Sequence, residues 1–410
     1  MTSPTAIAQR LAAATPSLRA IPTEQLLTAW NDTLGAFLDP GSPERRNLDP
    51  DLLRSTGLSP AGLSHGLRSI GEGMLREHAA VELRRPHRQQ KDGFSLVILP
   101  AEPPGLILQS LLPALAARAP VLFKSSSAEP HFASAFLAAL GRRLPALRDA
   151  YAAATWTGGD PAIEGPLQAF ARLLVVYGGE ETINALEAAA PLRLIAFGPR
   201  LSLGWVGPGA DLSQAAHGMA LDIATFDQRG CLSVHAVLAE PNSAPTFAAA
   251  LATTLAQLAL DLPPGRGTAA DRAGARLARE DADLRGLDWH GDALDGGTVI
   301  VDPNPRISPS PGLRTVRIHP VEGVPPLDDS NGRLQGIAIA GHMPTPVRRA
   351  FEQAGVSRFA PAGQLQATDA AWRNGGIDLA AAFAYGSGGK PDTVSTTTPS
   401  LTRNERGSVR

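Results

Sequence analysis

The chain has 410 residues, 43% hydrophobic and 19% charged, which is ordinary for a globular protein and enough to bury more than one apolar core. Its formal net charge of −2 gives no electrostatic pull toward nucleic acid or an anionic membrane surface. A single cysteine, Cys231, excludes an internal disulfide and any multi-cysteine metal site, and it fits a reducing compartment.

The N-terminal stretch "MTSPTAIAQRLAAATPSLRA" lacks the continuous apolar core of a secretory signal, so a cytoplasmic location is expected. Residues 1–90 read as a helical N-terminal region, with apolar positions three and four apart and Pro or Gly punctuation. In "IPTEQLLTAWNDTLGAFL", Thr23 is the expected N-cap, and Leu26, Leu27, Trp30, Leu34 and Phe37 form one stripe. The basic run "RRPHRQQK", Arg84 to Lys91, reads as a solvated connector. The longest apolar stretch, Gly105 to Phe123, contains Gln109, Pro113 and Arg118; it reads as a helix followed by a strand, with no membrane span expected.

From Phe94 the pattern changes. "FSLVILPA", "PVLFKSS", "AYAAATW", "RLLVVYGG" and "LRLIAFGP" are short apolar runs separated by alanine-rich helical segments at 106–118, 131–143, 162–171 and 180–189. Strands apolar on both faces and alternating with helices predict a doubly wound parallel α/β sheet. Ligands of such sheets lie beyond the strands' carboxyl ends, which here read "KSSS" at 124–127, "TGGD" at 157–160 and "GGEE" at 178–181. "LSLGWVGPGADL" marks the passage to a second α/β unit, with a helix over 211–226 and later strands in "SVHAVLAE", "GTVIVDP", "LRTVRIHPV" and "LQGIAIAGH". The expected division is a Rossmann-like domain over 91–205, completed by parts of 1–90 and 360–385, and a catalytic domain over 206–360. The polar tail from Gly386 is expected to be disordered.

The sequence has no GxxxxGK[ST] loop, no GxGxxG opening a helix, no HExxH and no GxSxG. Nine histidines lack metal-ligand spacing, so no metal is expected.

Two contrasts within the chain carry more. Only three lysines stand against 34 arginines, so a lysine closing an apolar strand points to a need for a compact ammonium. Lys124 ends "VLFK" and precedes Ser125, Ser126 and Ser127 at the expected start of a helix. An ammonium with hydroxyls at a strand's carboxyl end suits a nucleotide ribose or phosphate; a snorkelling lysine beside a serine N-cap is the alternative. Cys231 follows Asp227, Gln228, Arg229 and Gly230, a loop composition. A loop thiol near Arg229 and backbone amides is expected to be partly thiolate and nucleophilic; an inert buried thiol is the alternative.

The order of "VLFKSSSAEP", "VVYGGEE" and "FGPRLSLGWVGPGADLSQAAHGMALDIATFDQRGC" resembles the aldehyde dehydrogenase superfamily. With "GVSRFAPAGQLQATDAAWRNGG" it is similar to the acyl-CoA reductase branch (LuxC type), from about Phe94 to Phe383. The resemblance implies an aldehyde-dehydrogenase-like fold, a Rossmann-like cofactor domain beside an α/β catalytic domain, often in a homo-oligomer. It implies Cys231 as the acyl-accepting nucleophile and Lys124 at the adenosine ribose. Gln228 joins Cys231 as a catalytic candidate, and Ser125, Ser126, Ser127, Gly158, Gly178, Gly179 and Gly198 join Lys124 as cofactor candidates.

Phe197 and Gly198 stand where hydrolytic relatives carry a glutamate base, so the resemblance implies reduction of an acyl thioester, from acyl-CoA or acyl carrier protein, to the aldehyde. Ser127 stands where NAD-specific relatives place a glutamate, which favours NADPH, with NADH the alternative. Three departures stand out: Glu102 near the usual oxyanion asparagine, "WRNGG" from Trp372 in place of a histidine–aspartate–glycine, and "GGEE" without the usual threonine and serine. They keep two other readings open: a CoA-acylating aldehyde dehydrogenase acting on short substrates, and a non-catalytic binding subunit.

Overall fold

The computed structural model describes residues 4–85, 93–189, 192–292, 295–327, 332–385 and the backbone of 394–395. Most of the basic run at 84–91 and all but two residues of the tail from Gly386 lie outside the described residues.

Two sheets organise the chain. The first holds β1 (Phe94–Ile98), β2 (Val121–Lys124), β3 (Tyr151–Ala154), β4 (Ala171–Tyr177) and β5 (Arg193–Phe197). The second holds β6 (Leu201–Val206), β7 (Val234–Ala239), β8 (Trp289–Asp292), β9 (Gly297–Val301), β10 (Thr315–Pro320), β11 (Leu334–Ala340) and β12 (Arg358–Pro361). A two-residue strand, β13 (Val394–Ser395), adds to the first sheet beside β5. The orders are β13-β5-β4-β1-β2-β3 and β12-β11-β6-β7-β10-β9-β8. Among the described residues, every strand pairing is parallel except β8 with β9.

All seven residues of β4 and all six of β6 are buried, which is what strands covered by helices on both faces require. In the first sheet β1 lies between β2 and β4, so chain direction across the sheet reverses there and opens a crevice at the carboxyl ends. The N-terminal helices complete this half. Trp30 and Phe37 of the helix Thr23–Leu38 meet Phe136 edge to face, and the Trp30 indole donates to the Met74 carbonyl at 2.7 Å. The helix Leu379–Tyr385 returns the chain to the same core.

Leu201–Val206 pairs with β7 and β11, so the second sheet takes up the strand at the passage to the second α/β unit. The structure corrects the sequence analysis at two points. Thr23 does not cap its helix; its hydroxyl accepts from Arg118 at 3.0 Å, while Pro22 occupies the cap position. Nor do the serines at 125–127 open a helix. That helix begins at His131, where the Glu129 carboxylate accepts from the amides of His131 and Phe132 at 2.8 and 2.9 Å. No described helix is long and apolar enough to cross a membrane.

Candidate active site

Cys231 reaches its position through an unusual turn. The helix Leu212–Ala224, capped by the Asp211 carboxylate, passes into a 3₁₀ segment, Thr225–Gln228. There Phe226, Asp227 and Gln228 all have positive φ, at 55°, 50° and 65°. Each left-handed residue costs about 1–2 kcal/mol, so the surroundings must hold the turn.

They hold it from three sides. Asp227 receives the Arg314 guanidinium at 2.8–2.9 Å and the Gly265 amide at 2.8 Å, with Asp227 and Arg314 both buried. The Gln228 carboxamide donates to the Val234 and Thr315 carbonyls at 2.9 and 3.2 Å and accepts from the Ser310 hydroxyl at 3.0 Å. The Phe226 ring lies against Gly66, where a Cβ would come within 2.3 Å of it. Beyond the turn, Ser202 donates to the Cys231 carbonyl at 2.8 Å.

The turn delivers Cys231 to a cleft of about 340 Å³ between the two sheets. Gln228, Gly178, Gly179 and Gly198 line the same cleft, so sequence candidates from β4, β5 and the cysteine loop meet there. Ile70, Leu106, Tyr177, Phe197, Phe226 and Leu232 give it an apolar wall, and Tyr177 stacks on Phe197 with ring centroids 4.7 Å apart. Gln228 lines the cleft, yet its amide is committed to the turn.

Lys124, Ser125, Ser126, Ser127 and Gly158 do not line this cleft; they sit at the carboxyl ends of β2 and β3. The Lys124 ammonium lies 5.3 Å over the Trp156 ring, and partial burial lowers its pKa. Ser125 is buried, Ser126 accepts from the Ala128 amide at 3.2 Å, and Ser127 and Gly158 are exposed. Sequence reasoning missed Glu164. Its carboxylate accepts from the Trp156 indole at 3.0 Å and the Gly159 amide at 3.2 Å, and its charge raises the Lys124 pKa against the desolvation. Only the fold brings it near Lys124, 40 positions earlier in the chain.

The resting thiol differs from expectation. Cys231 is half-buried, and desolvation pushes its pKa up to about 11, so it rests protonated at neutral pH. The Arg200 guanidinium and the backbone amides of Cys231 and Leu232 oppose this shift without cancelling it. Arg229, the expected neighbouring charge, is engaged elsewhere: it pairs with Glu102 and donates to the Thr56 carbonyl. That pairing answers the Glu102 departure, because the carboxylate meets a guanidinium. Burial raises the Glu102 pKa, and Arg229 works against the rise. His235, on β7 and also in the cleft, accepts from the Ser310 amide at 3.0 Å and is held neutral by burial, with a pKa of about 4.

Asn374, the other departure, lines the cleft as well. Its side-chain oxygen accepts from Gln335 at 2.9 Å, and the Gln335 oxygen accepts from Arg200 at 3.2 Å.

Two packed sheets with a cysteine at the mouth of a parallel, Rossmann-like one define the aldehyde-dehydrogenase-like fold. Lactaldehyde dehydrogenase from Escherichia coli superposes with a TM-score of 0.67 at 13% identity, covering 88% of this chain and 82% of that one. An oxidoreductase from Marinobacter aquaeolei gives 0.65 at 16%, covering 84% and 79%. An E. coli NADP-dependent enzyme gives 0.65 at 18%, covering 88% and 82%. Within that fold, residues 64–381 match the acyl-CoA reductase (LuxC) family, and the chain belongs to it.

Curated relatives include the long-chain acyl-protein thioester reductases of Aliivibrio fischeri and Photorhabdus laumondii. The first is 24% identical over 58% of this chain and 50% of its own length. The second is 27% identical over 57% and 49%. The chain thus spans about half the length of the curated relatives it matches.

Proposed function

We propose that the protein reduces a fatty acyl thioester, carried by CoA or an acyl carrier protein, to the aldehyde through an acyl-enzyme on Cys231. The observation that carries this reading is the shared cleft: the sulfur and the glycines ending β4 and β5 line one apolar-walled space. The Cys231 thiolate attacks the thioester carbonyl, the carrier leaves as its thiolate, and the acyl group remains on sulfur. The Cys231 amide is the candidate donor to the developing oxyanion, an interaction worth roughly 3 kcal/mol when well aimed. Gln228 acts as a positioning residue, holding the turn that sets the nucleophile.

Reduction rather than hydrolysis is supported by the cleft's acid–base inventory. Among the described residues lining it, Glu102 is the one carboxylate, and it is paired with Arg229. His235, the cleft's histidine, has its Nδ1 taken by the Ser310 amide and its basicity lowered by burial, so water lacks a strong unpaired base beside the acyl-enzyme.

Residues at the sheet's carboxyl edge fit a nicotinamide dinucleotide. Lys124 offers an ammonium beside an indole face, and a Cβ at Gly158 or Gly179 would meet nothing within 4 Å, leaving room for close approach to the backbone. Such a cofactor, in its reduced form, supplies the hydride that turns an acyl carbon into an aldehyde. Ser127 and Lys124 favour a 2′-phosphate and hence NADPH, while Glu164 opposes it and keeps NADH in competition.

The test is incubation with radiolabelled long-chain acyl-CoA and acyl carrier protein, without cofactor. The wild type should retain label on Cys231 and release aldehyde once reduced nicotinamide is added. Cys231→Ala should do neither. Label held equally by Cys231→Ala would refute the acyl-enzyme, and a wild type that neither labels nor turns over would favour a binding subunit.

A further inference from the structure

The cysteine loop holds its sulfur in a place that disfavours the thiolate, so something in the cleft must compensate during acyl transfer. Arg200 stands in the short passage from β5 to β6, where the chain crosses from one sheet to the other, and lines the cleft with Cys231. It acts electrostatically on Cys231, favouring the charged sulfur.

How the guanidinium is held is more informative. Gln335, on β11, is fully buried, and its carboxamide has two orientations open to it. Its nitrogen donates to the Asn374 oxygen at 2.9 Å, which turns its own oxygen toward Arg200 at 3.2 Å. With the opposite amide orientation, NH₂ would face guanidinium, two donors against each other. The donor-only guanidinium fixes the observed orientation, and Asn374, from the 3₁₀ segment Asn374–Gly376, supports it by accepting from the Gln335 amide. Two distant parts of the chain, at Gln335 and Asn374, form the relay that ends on the Arg200 guanidinium.

We propose that Arg200, aimed by the Gln335–Asn374 relay, is the cationic partner that offsets part of the desolvation of the Cys231 thiolate and so favours its attack. The proposal rests on the reading of Cys231 as the acyl acceptor and gives the "WRNGG" segment a role, with Asn374 a positioning residue acting through Gln335. Attraction between a guanidinium and a thiolate in a partly desolvated cleft favours the charged sulfur. Among the described residues lining the cleft, the other ionisable groups are Glu102 and Arg229, which pair, His235, which is neutral, and Tyr177, whose buried phenol has its pKa raised and hydrogen-bonds Ser110 at 2.9 Å.

The test uses the chain's single cysteine, which makes alkylation of the intact protein report on Cys231 alone. Iodoacetamide modification is followed by mass across the neutral and alkaline range. Replacing Arg200 by Met should shift the titration of reactivity upward and slow alkylation about tenfold at mildly alkaline pH, one pKa unit in thiolate population. Arg200→Lys should recover part of the loss. Asn374→Leu should slow alkylation by a smaller factor, and Asn374→Thr, which offers a neutral hydroxyl acceptor, should recover part of the loss.

A wild-type pH profile in Arg200→Met would overturn the proposal, as would a shift accompanied by lost secondary structure that Arg200→Lys does not recover. Acylation by an acyl thioester is measured separately. Failure of the wild type to take up acyl groups refutes the proposed function and leaves the alkylation result to decide the role of Arg200.

Discussion

Replacing Asp227 by Ala should be among the most damaging single changes near the cleft. The carboxylate, 3% exposed, receives Arg314 at 2.8–2.9 Å and the Gly265 amide at 2.8 Å, and Arg314 is 0% exposed. Removing it leaves a buried guanidinium held by the Leu262 carbonyl at 2.9 Å, with no carboxylate to balance its charge. Breaking a buried pair from one side costs about 3–5 kcal/mol, chiefly the cost of the stranded charge. The turn at 226–228 also loses the tie that holds its left-handed residues in place. Urea unfolding followed by tryptophan fluorescence gives the stability, and native-state alkylation of Cys231 reports on the loop. The double variant Asp227→Ala with Arg314→Met should cost at least about 2 kcal/mol less than the two single losses together, because no charge is then stranded. A single variant within about 1 kcal/mol of wild type, or strictly additive losses, would refute the claim that this pair holds the turn.

Three further outcomes follow from particular contacts. Gly66→Ala should destabilise by about 1–3 kcal/mol and lower the melting temperature, since the new methyl meets the buried Phe226 ring at 2.3 Å; an unchanged melt would mean that the ring has room to move. Glu164→Gln should raise the NADPH-to-NADH ratio of kcat/KM several-fold by removing a negative charge near Lys124, and an unmoved ratio would exclude Glu164 from cofactor choice. Burial pushes the Asp222 carboxyl up from 3.8 to about 7, so the folded state favours the neutral acid. Its contribution to stability is complete below the ordinary carboxyl range, is lost as pH rises toward 7, and is flat above. Asp222→Asn should lose that part of the pH slope in denaturant unfolding, and a slope identical to wild type would contradict the shift.

Much of the fold was legible because the physics that writes it is local. Strands buried on both faces need continuous apolar runs, and β1 to β5 stand out in "FSLVI", "VLFK", "YAAA", "ARLLVVY" and "RLIAF". The loop around Cys231 was legible from four polar or flexible residues after a helix. Where sequence reasoning went astray, a side chain from elsewhere took the expected role: Glu129 caps the helix offered to the serines, and Arg118 engages the hydroxyl of Thr23.

The amino-acid sequence by itself determined the alternation of buried strands and helices and the placing of one thiol on a loop, because periodicity and composition act over a few residues. The tertiary structure alone decided the state of that thiol. Its desolvation, the pairing of Arg229 with Glu102, and the approach of Arg200 through Gln335 and Asn374 depend on segments up to 174 positions apart. Electrostatics in a cleft falls off with distance in space, and no local pattern encodes that distance.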